Sequence, residues 1–295
     1  MPSLATSSRS SLPEFRLSAK SLAIDLLSTM PPRYPVAVGA LVRGAAVLGI
    51  GENSMRVALA RLRARGLVES DERGLYRLSS FAEPVNRRVR SWRSIEQSVS
   101  QWAGSWLALE MSGLPRGDRK RSRLRLRALR LLGFEALTPA LQIRPDNLED
   151  SVGDIRERLV TLGYAPAPTL FKLSDLDSDL EARARSLWDV SALESGYRTS
   201  REQLLKSIAR LPSLSKTEAM AETFRLGGEA VRRIVLDPLL PESIVDIRAR
   251  RALVNAMRRY DRIGREYWKA WTGESIALER SPAAVGGLAA AAGSA

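Results

Sequence analysis

Between residues 52 and 63 the sequence ENSMRVALARLR sets two kinds of residue against each other. Met55, Ala58, Leu59 and Leu62 recur at the three-and-four spacing of a helix buried along one side. The other side carries Asn53, Ser54, Arg56, Val57, Arg61 and Arg63. These are residue types that meet base edges in a major groove. Asparagine pairs bidentately with adenine, and arginine with O6 and N7 of guanine, each good pair worth about 1–3 kcal/mol of discrimination. Ser54 and the N–H groups of the helix start suit a phosphate. Arg73 falls in a polar run, 69–74, that reads as a hairpin tip able to enter a minor groove or touch the backbone. Any single one of these arginines fits a plain solvated helix face equally well. The whole set points to duplex DNA.

Catalytic chemistry finds little support. The chain has no histidine and no cysteine, which removes Ser-His-Asp and Cys-His nucleophiles, the usual general base and the commonest zinc ligands. Disulfides and thiolate-held clusters go with them. No P-loop, dinucleotide fingerprint or EF-hand loop occurs, so neither an enzyme nor a cofactor nor a metal site is expected. The charge carries the positive signal: 46 Lys and Arg against 33 Asp and Glu give a net +13. A polyanionic partner follows. Arginine far exceeds lysine, which favours planar bidentate contacts. No stretch has the apolar length of a secretory signal or a membrane span, so a cytoplasmic location is expected.

Several elements must hold the reading helix. Gly49 and Gly51 bracket Ile50 in a tight turn before it, Gly66 stops it, and 67–68 with 75–78 form a short hairpin. Upstream, 21–30 and 36–48 read as two supporting helices, with Pro31-Pro32 ending the first. Together they predict a winged helix-turn-helix over 18–80, after a disordered arm, 1–17. A linker helix over 81–101 follows, with Val85, Val89, Trp92, Ile95 and Val99 on one side and Arg87, Arg88, Arg90 and Arg93 near its start.

Residues 102–175 read as β-α-β-β-α-β, the pattern of a ferredoxin-like sandwich. Its strands are expected at 106–110, 134–137, 140–143 and 169–173, and its helices at 119–132 and 148–162. The first of these helices carries Arg116, Arg119, Lys120, Arg121, Arg123, Arg125, Arg127 and Arg130 against Asp118 alone. Such a run can grip DNA phosphates or a nucleotide-like ligand, or simply be solvated. The rest is a helical domain over 176–275, with helices at 197–211, 217–236 and 245–271, and a disordered tail over 276–295. The fold class is α+β, mainly helical.

With these blocks in place the chain resembles the PaaX family, bacterial repressors named for phenylacetate degradation. The resemblance rests on Glu52-Asn53-Ser54-Met55-Arg56-Val57-Ala58-Leu59, Asn86-Arg87-Arg88 with Trp92-Arg93, Trp102-Ala103-Gly104-Ser105-Trp106, Leu131-Leu132-Gly133-Phe134, Leu187-Trp188-Asp189 and the run 232–241, RRIVLDPLLP. It spans about residues 20–272 with the blocks in the family's order. It implies a homodimeric transcriptional repressor of a catabolic operon for aromatic compounds, binding an inverted-repeat operator, with a Cas2-like middle domain. It also implies release by a small-molecule effector, an acyl-CoA thioester in the best-known members. Two features depart from the family. A histidine before the Arg-Arg pair is absent, with Glu229 in its region, and Val245-Asp246-Ile247-Arg248 replaces a Trp-Pro-Gly. Arg232 and Arg233 are the candidates for an anionic effector, or else pair internally with Asp237 or Glu229. The rival readings are a metal-dependent nuclease using Glu110 in the Cas2-like domain, and a DNA-binding protein without specificity.

Overall fold

Ser18 opens the first helix, its hydroxyl accepting from the Ser21 backbone while the Ser21 hydroxyl accepts from the Ser18 N–H. This capping box satisfies two donors that a helix start leaves open. The computed structural model describes residues 18–30, 34–112 and 118–280; the arm 1–17, Pro31-Pro32, Arg116 and the tail from 281 lie outside the described residues. Two compact units divide the chain: one takes in 18–90, 206–228 and 259–280, the other 91–205 and 229–258.

The first unit is the winged helix-turn-helix. It contains α1 (Ala19–Thr29), β1 (Val36–Ala37), α2 (Val38–Ala46), α3 (Glu52–Ala64), β2 (Val68–Ser70), β3 (Leu75–Leu78) and α4 (Glu83–Arg90). The strands form one antiparallel sheet in the order β1-β3-β2. The sequence places residues 36 and 37 at the start of a helix; instead they pair with Tyr76 and Leu75. Their extended backbone covers the second edge of β3, which a two-stranded ribbon would leave open. Leu22, Leu26, Leu41, Met55, Leu59 and Leu62 are fully buried in one core. Met220 and Trp271, from α9 (Lys216–Val235) and α10 (Ile247–Arg280), complete that core. The Trp271 indole N–H donates to the Ala40 carbonyl at 2.9 Å. Its ring lies so close over Gly44 that a Cβ there would stand 3.0 Å from it.

Asp25 sits in this unit on α1, and burial pushes its pKa up to about 7. A carboxyl whose folded pKa exceeds the unfolded value stabilises the protonated protein, so that contribution is lost as pH rises through about 7. Asp25→Asn is therefore expected to raise stability at pH 8 by on the order of 2 kcal/mol, allowing for partial exposure, and to change it little at pH 4. Thermal melts at the two pH values check this; an equal shift at both would contradict it.

The second unit is built on a sheet. It contains β4 (Trp106–Glu110), α5 (Arg119–Leu131), β5 (Glu135–Thr138), β6 (Leu141–Pro145), α6 (Val152–Thr161) and β7 (Leu170–Leu173). The strand order is β5-β6-β4-β7, antiparallel throughout, with Ala108 opposite Ile143 on one side and Phe171 on the other. This is the ferredoxin-like arrangement. The helix expected over 81–101 breaks after Arg90 into a 3-10 stretch, Ser91–Ser98. There the Ser94 and Ser98 hydroxyls donate to carbonyls three residues back and compete with α-helical bonding. The stretch over 174–185 also holds a short helix, α7 (Ser178–Arg185), before α8 (Val190–Arg210). α10 runs on past Trp271 to Arg280.

Four of the resemblance blocks, 102–106, 131–134, 187–189 and 232–241, lie inside this unit. Trp106 stacks on Trp188 at 6.2 Å, is met edge-on by Trp102, and donates its N–H to Glu181. Gly133 has φ of +72° and lies under Pro238, where a Cβ would stand 2.7 Å from the proline Cα. Asn147 donates to the Leu239 carbonyl at 2.7 Å, and Arg144 donates to Asn147 at 3.0 Å. At the centre Arg250, only 3% exposed, donates to Glu96 at 3.0 Å and to the Leu240 carbonyl, and lies 3.8 Å from buried Asp237.

Candidate nucleic-acid interface

α3 begins at Gly51, an extended N-cap whose position supplies no side-chain acceptor to the first turn. The early N–H groups are thus left for solvent or an anion. Met55, Ala58, Leu59 and Leu62 are buried, while Asn53, Ser54, Arg56, Val57, Arg61 and Arg63 are all exposed. At 3.6 residues per turn Asn53, Val57 and Arg61 form one i, i+4 row, with the small Ala60 and Ala64 beside it. A helix with that outline can approach base edges closely.

Two of the arginines are engaged in the free protein. Arg56 donates to Glu52 at 2.7 Å, with both side chains more than half exposed. Such a pair holds the guanidinium in place and opens at a cost of less than about 1 kcal/mol. Arg63 donates to the Ser70 hydroxyl at 3.1 Å, which ties the helix to the hairpin rather than pointing into a groove. Arg61 has no ion-pair partner among the described residues.

The hairpin is a rigid wing. The Asp71 carboxylate accepts from the N–H groups of Arg73 and Leu75, and Gly74 turns the chain at φ +73°. Arg73 is exposed at its tip, and Arg77 pairs with Glu69 across the strands at 2.9 Å. The base of this unit has a concave surface of about 930 Å³ lined by Tyr34 and Arg77, which the sequence pattern does not single out, together with Asn86, Arg87 and Arg90. Asn86 is 6% exposed and its Oδ1 is buried with no hydrogen-bond partner. The Asn86-Arg87-Arg88 block marks the residue in the sequence but not the concavity, which is made by α1, the hairpin and α4 together.

The other candidates lie in the sheet unit. Arg232 and Arg233 are half-buried on α9. The Arg233 guanidinium lies against Gly196 and faces Tyr197, Asp237 and Glu229; its pKa is lowered by burial, and those three groups oppose the shift. Glu110 ends β4 and accepts from the Ser112 N–H and hydroxyl. Among the described residues no three acidic groups gather where they could hold a metal ion.

A wing beside a three-helix head defines a winged helix-turn-helix. Residues 18–82 match the family described as PaaX-like protein, a stretch that includes every residue of the α3 face and the wing. That family is one of transcriptional regulators. Among solved structures the chain resembles an uncharacterized protein, Rv0674, from Mycobacterium tuberculosis. The two are 24% identical over 86% of this chain and 99% of the other, with a TM-score of 0.54, a likeness of fold. No curated protein matches. Among the described residues no helix is long and apolar enough to cross a membrane.

Proposed function

We propose that the protein is a sequence-specific DNA-binding transcriptional regulator, a cytoplasmic homodimeric repressor of a catabolic operon. The observation that carries this reading is the α3 face: Asn53, Arg56, Val57 and Arg61 exposed on a helix whose opposite side is core, in a domain that matches a regulator family. In a dimer two such helices enter successive major-groove faces about 34–36 Å apart, so the operator is an inverted repeat. A small-molecule effector that binds the DNA-free form better shifts the population off the operator by that difference in affinity alone. An anionic effector such as an acyl-CoA thioester, meeting Arg232 and Arg233, would compete with Asp237 and Glu229.

The test compares the affinity of the full chain for its own upstream region with that for a scrambled duplex of equal length. Asn53→Ala and Arg56→Ala are each expected to lower that ratio by about 5- to 150-fold, the equivalent of about 1–3 kcal/mol. Arg73→Ala should weaken both duplexes alike and reduce the salt slope by about 0.9. If both α3 variants kept the full ratio, the docking proposed here would be wrong.

A further inference from the structure

α5 carries more cationic charge than its fold requires. Asp118 caps it, its carboxylate accepting from the Lys120 and Arg121 N–H groups and pairing with the Arg121 guanidinium at 3.1 Å. Arg125 turns inward, is 5% exposed and donates to the Ala165 carbonyl at 2.9 Å. Arg130 faces Glu135. The others, Arg119, Lys120, Arg123 and Arg127, are exposed and have no ion-pair partner among the described residues. Arg127 is partly desolvated with no carboxylate to offset it, which lowers its pKa.

Their placement is directional. Arg119, Arg123 and Arg127 follow one another at i, i+4, and with Arg130 they fall within a sector of about 80° on the helix. Leu126, 61% exposed, borders the same sector. The stripe is about 17 Å long, the axial rise of about five phosphates on one DNA strand. Like charges at i, i+4 destabilise a helix in isolation. A row of three therefore needs a reason beyond the fold, and a regular line of anions supplies one.

We propose that this stripe is a second DNA-binding site, gripping the phosphate backbone of a duplex without reading its sequence. The choice of duplex DNA as the polyanion rests on the regulator reading above. Guanidinium groups suit the site because each offers a planar pair of donors to phosphate oxygens. The stripe adds affinity that depends steeply on salt, while α3 decides which sequence is held.

The experiment measures affinity of the intact chain for its upstream duplex, a scrambled duplex and a duplex RNA of equal length, from 50 to 200 mM KCl. The variant replaces Arg119, Arg123 and Arg127 with Gln, which keeps helix propensity. The slope of log K against log salt is expected to fall by about 2.7 on both DNA duplexes, so the affinity lost across that range shrinks about 40-fold. The preference for the upstream duplex should stay as in the wild type, and the melting temperature should hold or rise as repulsion is relieved. An unchanged slope overturns the proposal, as does a slope change confined to RNA. If the wild type shows no preference but the variant still loses slope, the stripe stands and the regulator reading falls. If preference is present and the slope is unmoved, the reverse holds.

Discussion

Trp271→Ala is expected to destabilise the winged-helix unit by about 3–5 kcal/mol, the usual loss for a large aromatic removed from a core. Trp271 is 6% exposed, packs on Gly44, shares one core cluster with Leu22 and Leu26, and meets Trp268 edge-on at 5.6 Å. Truncation leaves a cavity between α2 and α10 and removes the hydrogen bond that the indole N–H adds at the Ala40 carbonyl. Trp271→Phe separates these effects: it keeps most of the ring contact and forfeits the hydrogen bond, a smaller loss of about 0.5–1.5 kcal/mol. Calorimetry and tryptophan fluorescence on the full chain read both. On the proposed function, DNA binding should fail in the alanine variant as the temperature approaches its lowered transition, with the sequence preference of the remaining folded fraction intact. A melting profile equal to the wild type would mean that the indole does not support the winged-helix unit.

Arg250→Ala comes next in size. It removes the cation that faces Asp237 and Glu96, and breaking such a buried pair from one side costs about 3–5 kcal/mol because the partner charge is left uncompensated. Burial already raises the Asp237 carboxyl above the usual carboxylate range, and Arg250 is the main influence holding it down. In the variant that pKa climbs further, so the folded protein takes up a proton the unfolded chain does not bind. Stability linked to a raised carboxyl pKa is present at low pH and lost as pH rises. The deficit of Arg250→Ala should therefore be larger at pH 8 than at pH 5, measured by denaturant unfolding. Adding Asp237→Asn should recover part of the loss and flatten the pH dependence. The same deficit at both pH values would show that Asp237 is not the group left stranded.

Most helices were legible because their apolar spacing is local: Met55, Ala58, Leu59 and Leu62 give away both the buried and the free side of α3. The ferredoxin-like order was legible too, since four short strands and two amphipathic helices in that sequence leave few arrangements. The two residues of β1 were not, because Val36 and Ala37 suit a helix as well as a strand and only the presence of β3 decides. The link Glu83–Arg90 to Ser91–Ser98 misled for a different reason: its apolar period continues while serine hydroxyls capture the backbone. Buried arginines escaped altogether. Arg144 and Arg250 look like any surface cation until the carbonyls and carboxylates that enclose them, up to 154 positions away, are brought together. On the interface the exposed residues could be read from periodicity, whereas the Arg63–Ser70 tie depends on how the hairpin folds back.

The N–H of Val38, the first residue of α2, donates to the carbonyl of Gly74 at 3.0 Å, beside the β1–β3 pairing. The root of one supporting helix and the tip of the wing are thereby one mechanical piece. A loose wing would have to surrender its freedom each time it met a duplex, and this one has surrendered most of it during folding. In the proposed complex Arg73 would thus meet its partner from a braced mount tied to the start of α2.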